Sequence, residues 1–245
     1  MKKHIPNLLT ICNLLCGCVA AHYAFLASIA CSPAPYYKSA LIFVLMAAVF
    51  DFLDGFAARL LKAYSPLGKQ LDSLADLISF GLTPAIIAIS LIWRSVRILE
   101  VYESNLLWQI VIYSGFIIAA FSALRLAKFN IDDRQTSSFI GLAVPANAIF
   151  WVGLGNSYYQ QLINFPIVIG LLIAISCFLL VCKLPMFSLK FKHFGWKGNE
   201  FPFILIICSA ILLIFLRLDA FAWIIVLYIL LSLIKTIFTK KTQLV

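Results

Sequence analysis

The sequence predicts an all-α polytopic membrane protein of about eight transmembrane helices, with both termini cytoplasmic and one domain over residues 1–245. Three observations predict it. Of the residues, 63% are hydrophobic and 12% charged, with a mean hydropathy of +1.02, whereas a soluble domain keeps about a quarter of its residues charged. The apolar residues form long continuous runs, without the alternation that membrane barrel strands require. The basic residues are shared very unequally between the two sets of connecting loops.

The runs occupy residues 8–30, 40–60, 71–93, 106–127, 140–154, 163–181, 201–216 and 220–234. Crossing the hydrocarbon core takes about 20 helical residues, and about 17 at the short end. The fifth, seventh and eighth runs are at or below that limit, so their ends are expected to extend. Ser32-Pro33-Ala34-Pro35 reads as the turn between the first two helices.

With eight spans, fifteen of the 19 basic residues fall on the side of the termini, and Lys38, Arg94, Arg97 and Arg217 on the other. Basic residues collect on the cytoplasmic side, so the termini are expected there, in a cell membrane with the active site facing the cytoplasm. The net charge of +9 is then topology and contact with anionic headgroups, not nucleic-acid binding. A cleaved signal peptide ending at Ser28-Ile29-Ala30 is the rival reading of the N-terminus. The run is 23 residues long and contains Asn13 and His22, while signal-peptide cores span about 7–15 residues. The seven cysteines lie mostly inside apolar runs without zinc or redox spacing and read as packing residues.

The second and third spans carry the anomaly. Asp51, Asp54, Asp72 and Asp76 interrupt apolar helices, whereas the other six acidic residues lie in loops or at span ends. A mid-helix aspartate costs about 2.5–3.5 kcal/mol on insertion scales, so four together call for a compensating partner. Asp51 and Asp54 are three apart and Asp72 and Asp76 four apart, so each pair shares a helix face. A turn containing Ser65-Pro66-Leu67-Gly68 folds the two helices into an antiparallel hairpin, and the four carboxylates converge. Two divalent cations would compensate them, and oxygen-only ligands suit Mg²⁺ or Mn²⁺. Such a site clamps the attacking and leaving oxygens of a phosphoryl displacement. Gly55 and Ala58 leave room for a flat ligand against the helix, and Arg59 at the mouth can meet a phosphate.

Asp51-x-x-Asp54-Gly55-x-x-Ala58-Arg59, then Gly68, Asp72 and Asp76 at fixed intervals, resembles the CDP-alcohol phosphotransferase motif at every defined position. The resemblance implies that the four aspartates hold two metals, that Gly55, Ala58 and Arg59 receive the CDP moiety, and that Asp76 is the general base. A narrower likeness is to bacterial phosphatidylserine synthases. It is carried by Asp72–Gly81, Ile5–Thr10, Leu124–Asn130, Phe139–Leu142, Pro145-Ala146 and Leu184–Lys190. Ala143 and Lys128 depart from it, since those relatives usually have Pro and Arg there. This likeness implies CDP-diacylglycerol and serine as substrates, with phosphatidylserine and CMP as products.

Asn7, Thr10 and Asn13 are candidate donors to the diphosphate, or else helix-capping and interhelical groups. Arg125 is a candidate clamp for serine's carboxylate or a lipid phosphate, against the alternative of a topology-setting or snorkelling arginine. Ser73, beside a metal ligand, is not expected to be a nucleophile, because direct displacement needs no covalent intermediate. Glycerol phosphate or inositol phosphate as acceptor would favour more basic residues near the site than Arg125 and Lys128. A cation transporter would account for the acids but not for Gly55, Ala58, Arg59 and the fixed intervals. Oligomeric state is not readable from the residues, and a homodimer is kept as the expectation.

Overall fold

The computed structural model describes residues 4–99, 106–131, 139–187, 195 and 199–242. The basic residues at 2, 3, 134, 190, 192 and 197, the acids at 100, 103, 132 and 133, and the end of the 184–190 stretch lie outside the described residues. The fold is all-helical. Helices α1 (Ile5–Ile29) and α2 (Ala34–Leu60) lead into one long helix built from α3 (Pro66–Asp76), a π-helical turn (Leu77–Leu82) and α4 (Thr83–Ile98). Then come α5 (Leu106–Tyr113), α6 (Phe116–Ile131), α7 (Val144–Leu162), α8 (Pro166–Val181), α9 (Glu200–Leu216) and α10 (Ala220–Thr242).

Five described stretches are long and apolar enough to cross a membrane: Ile5–Ile29, Ala34–Leu60, Pro66–Ile98, Leu106–Ile131 and Glu200–Ile237. Within the last, Arg217 takes φ 52 and ψ −125, which breaks the helix, and α9 and α10 pack on each other across a 3₁₀ turn. Helix α8 is apolar but shorter, at 16 residues.

Several expected boundaries are corrected. Ala34 and Pro35 belong to the first turn of α2, where a proline's missing N–H costs nothing. Pro66 likewise opens α3, so the hairpin turn is Leu61–Ser65 rather than a turn through Gly68. The fourth run is divided at Ser114-Gly115, where Gly115 lies so close to α4 that a Cβ would stand 2.7 Å from the Ile89 Cγ1. The fifth helix begins at Val144 rather than at residue 140, because Phe139-Ile140 instead pair antiparallel with Pro185-Met186. It then runs eight residues past the expected end, to Leu162, and α10 likewise extends to Thr242.

Helix α1 is a structural member of the bundle. Ala20, Ala24 and Ala27 are fully buried, at helical spacing, and α1 packs along α2, α3, the π turn and α4. Small residues bring backbones close where lipid supplies no hydrophobic drive between helices. A bulkier buried layer (Tyr37, Leu41, Ile87, Leu91, Trp151) fills the space between α2, α4 and α7. Its polar ends are bonded, Tyr37 to Ser90 at 2.8 Å and the Trp151 indole to the Ser176 hydroxyl at 3.0 Å. The seven cysteines are all free thiols.

Candidate active site

The hairpin between α2 and α3 is fixed by local chemistry. Lys62 adopts φ 49, and the Ala63 N–H bonds the Ala58 carbonyl at 3.0 Å, closing α2. Ser65 then caps α3 by accepting from the Gly68 N–H at 2.9 Å, with Pro66 at the first helical position. The two acidic pairs are thereby set opposite each other. Carboxylate oxygens of Asp51, Asp72 and Asp76 lie within 4.8 Å of one another. Among the described residues no lysine or arginine pairs with these three, and the Asp72 Oδ1 is buried without a hydrogen-bond partner. Three converging carboxylates, one of which carries an orphaned oxygen, fit a divalent cation.

Asp54 stands slightly apart from this triad. It is 6% exposed, accepts a hydrogen bond from the Thr10 hydroxyl at 2.6 Å, and lines a cavity of about 460 Å³ together with Asp72. Gly55, Ala58 and Gly68 line the same cavity, as does Asn7. A Cβ on Gly68 would come within 3.1 Å of the Asn7 Oδ1, so a side chain there would crowd the wall. Arg59 is exposed and is not among the residues that line the cavity, although its Nη1 is 3.9 Å from where a Cβ on the lining residue Gly55 would be. Asp72 thus belongs both to the carboxylate triad and to the cavity wall. That shared residue joins a groove of nucleotide size to a cation site.

Helix α1 supplies the supports. The Asn13 amide donates to the Asp76 Oδ1 at 3.0 Å, as Thr10 does to Asp54. Both side chains were candidates for the diphosphate, and the structure sets them on the carboxylates. Just past Asp76 the chain winds into the π turn, and π turns recur at functional sites. The Ser79 hydroxyl donates to the Asn13 carbonyl at 3.0 Å, and the Thr83 hydroxyl to the Gly17 carbonyl at 3.2 Å. A Cβ on Gly17 would sit 2.6 Å from the Ser79 Cα, so only glycine permits this approach. Sequence reasoning missed Gly17, Ser79 and Thr83. The two hydroxyls sit four apart and Gly17 continues the small-residue stripe of α1, but nothing in that pattern reveals their register.

The family model for CDP-alcohol phosphatidyltransferase matches residues 3–193. The chain belongs to the CDP-alcohol phosphatidyltransferase family. A protein of Bacillus subtilis (strain 168) named CDP-diacylglycerol--serine O-phosphatidyltransferase is 31% identical over 198 residues, 81% of this chain and 95% of that one. One of the same name from Helicobacter pylori (strain 26695) is 29% identical over 246 residues, 95% and 91% of the two chains. A third, from Methanocaldococcus jannaschii, reaches 37% over 131 residues, 53% and 57% of the chains.

Stretches scattered along this family member meet around α3 and α8. The Lys69 ammonium donates to the Asn130 carbonyl at 2.9 Å, and the Asn130 amide to the Ser73 hydroxyl at 2.7 Å, so the end of α6 is tied beside Asp72. Ser73 is therefore a link between helices. Gly141 takes φ 77, and a Cβ there would meet the Cys182 carbonyl at 2.9 Å, so the loop before α7 closes on the end of α8. Arg125 is buried on α6, outside the cavity lining, with its guanidinium 5.6 Å from the centre of the Phe129 ring.

Proposed function

We propose that this phosphatidyltransferase moves the phosphatidyl group of CDP-diacylglycerol to the hydroxyl of L-serine, giving phosphatidylserine and CMP. The carrying observation is that Asp72 is common to the triad and the cavity, with the names of the relatives in support of the acceptor. Gly55 and Ala58 leave the width for cytidine, and Arg59 meets a phosphate of the donor beside the cavity. Asp76, oriented by Asn13, accepts the proton of the serine hydroxyl. That oxygen forms a bond to the lipid-side phosphorus while the bond from phosphorus to the CMP oxygen breaks. Asp51, Asp54, Asp72 and Asp76 would hold two Mg²⁺ or Mn²⁺ ions, which offset charge on the diphosphate and the departing CMP. Arg125 is assigned to serine's carboxylate.

The reading also takes eight spans, termini and site on the cytoplasmic side of the cell membrane, and a homodimer. The uneven loop charge supports the orientation. An acceptor panel tests the function. Purified protein with CDP-diacylglycerol and Mg²⁺ or Mn²⁺ should release CMP with serine, and not with glycerol phosphate or inositol phosphate. Release with either phosphate acceptor alone overturns the assignment of serine. Arg125→Ala should raise the KM for serine and leave CDP-lipid affinity in place, and an unchanged serine KM removes Arg125 from the acceptor site.

A further inference from the structure

A second polar cavity lies at the other end of α1. Asn13, which holds Asp76, is about 15 residues from Ser28, or about 22 Å along a helix at 1.5 Å per residue. There, Ser28, Ala30, Cys31, Arg94 and Arg97 line a crevice of about 260 Å³, edged by Ile29 and Ile98. The reaction proposed above uses none of these residues.

The crevice holds two guanidinium groups of different kinds. Arg94 is half-buried and fixed: its Nη1 donates to the Ala30 carbonyl at 2.8 Å and to the Ala27 carbonyl at 3.2 Å. These are carbonyls at the C-terminal end of α1, where the helix leaves acceptors without intrahelical donors and has no basic residue of its own. Both bonds come from Nη1, and the Nε is buried without a partner among the described residues. Arg97 is one turn further along α4 and exposed. Among the described residues no carboxylate lines the crevice, so the described lining is positive and carries no compensating charge. A fork of donors pre-set by backbone bonds suits a phosphate. Ile29 and Ile98, both more than half exposed, give the same crevice an apolar edge.

Size discriminates between ligands. Pockets for drug-sized ligands run to about 300–1,000 Å³. The active-site cavity, at about 460 Å³, falls inside that range and this crevice, at about 260 Å³, below it. A phosphate group is of a size to fit the crevice. We propose that the Arg94–Arg97 crevice is an anion site that binds a phosphate group on the membrane face opposite the active site. A phosphodiester lipid headgroup or a free phosphate could each supply it.

The test uses the full chain in detergent micelles, with binding read by native mass spectrometry and by thermal shift. Short-chain phosphatidylglycerol, short-chain phosphatidylcholine and inorganic phosphate are titrated in turn. Wild type should bind phosphatidylglycerol, and Arg97→Gln should weaken that binding by at least about tenfold, the value of a charge-assisted hydrogen bond. Arg97→Lys should restore part of it, since it keeps the charge without the fork. Arg59→Gln, which alters the other site, should leave it unchanged. Inorganic phosphate displacing the lipid at millimolar concentration identifies free phosphate as a competent ligand. Failure to displace it identifies the headgroup. Because Arg97 is exposed, its variants should keep the wild-type melting temperature without ligand. Equal phosphatidylglycerol affinity in wild type, Arg97→Gln and Arg94→Lys overturns the proposal, as does loss of binding in Arg59→Gln alone.

Discussion

The helix running Pro66–Ile98 and the α9–α10 segment Glu200–Ile237 are both apolar enough to cross a membrane, at hydropathy 1.9 and 2.6. Their surroundings are opposite. In the first, 72% of the most apolar window is buried within the protein, and in the second 11%. The first also carries the buried Asp76, Ser79, Thr83, Ser90 and Ser95, whereas α9 turns Ile207, Ile214 and Phe215 outward. Hydropathy identifies a span and says little about its work. What separates the two is how many polar groups the helix brings inside, since each needs a partner there. The family match ends at residue 193, before α9 begins at Glu200, so the segment with the barest interior is also the one outside the match.

If that contrast reflects function, disturbing the polar interior should cost most. Asp72→Asn removes the residue shared by triad and cavity, and turnover should fall by more than about 10³-fold, since metal charge stabilisation is worth several kcal/mol and each 1.36 kcal/mol is tenfold. Asp76→Asn should lower kcat by about 10²–10⁴-fold while donor binding persists. Serine-dependent CMP release, paired with CDP-lipid binding, measures both. Turnover near wild type in Asp72→Asn would remove the metal site from the reaction.

A smaller loss is expected one layer out. Gly17→Val places atoms where the Ser79 backbone now lies, and the π turn that follows Asp76 must shift. A misplacement of about 1 Å can cost about 10²-fold in rate. Activity should drop by that order, with helicity retained by circular dichroism. Full activity would show that the π turn does not position Asp76.

These residues also mark how far the sequence could be read. The four aspartates were legible because charge inside an apolar run is costly and their spacing sets each pair on one face. Gly55, Ala58 and Gly68 were legible from the same motif, and each lines the cavity. Thr10 and Asn13 were recognised as site residues, but their partners were not, because which helix α1 faces depends on packing. The π turn left no sequence signal, since Leu77–Leu82 reads as an ordinary helix. Helix ends moved for a physical reason: hydropathy reports the lipid-facing middle of a helix, whereas Pro35, Pro66 and the Phe139–Met186 pairing set its ends.

Beside the cavity the effect should shrink again and change kind. Arg59 is exposed, and the contact with a donor phosphate proposed for it would exist before reaction as well as during it. Arg59→Ala should raise the KM for CDP-diacylglycerol by about tenfold with kcat within a few-fold, the signature of binding shared by ground and transition states. A fall in kcat at unchanged KM would move Arg59 into the chemistry.

The smallest effect is expected in the hairpin that served as the contrast. Phe215 is 80% exposed near the end of α9, so it faces lipid tails in the membrane and touches little of the protein. Truncating a buried phenylalanine costs about 3–5 kcal/mol because it leaves a cavity. At Phe215 lipid fills the space, and no buried polar group loses a partner. Phe215→Ala should therefore change CMP release by less than about twofold and leave the melting temperature in micelles within a few degrees. Phe80→Ala is the matched control: the same side chain, fully buried in the π turn, should lower both stability and rate. Equal losses from the two substitutions would mean that α9 has a protein partner in the membrane, and the contrast between the two regions would then be one of assembly and not of function.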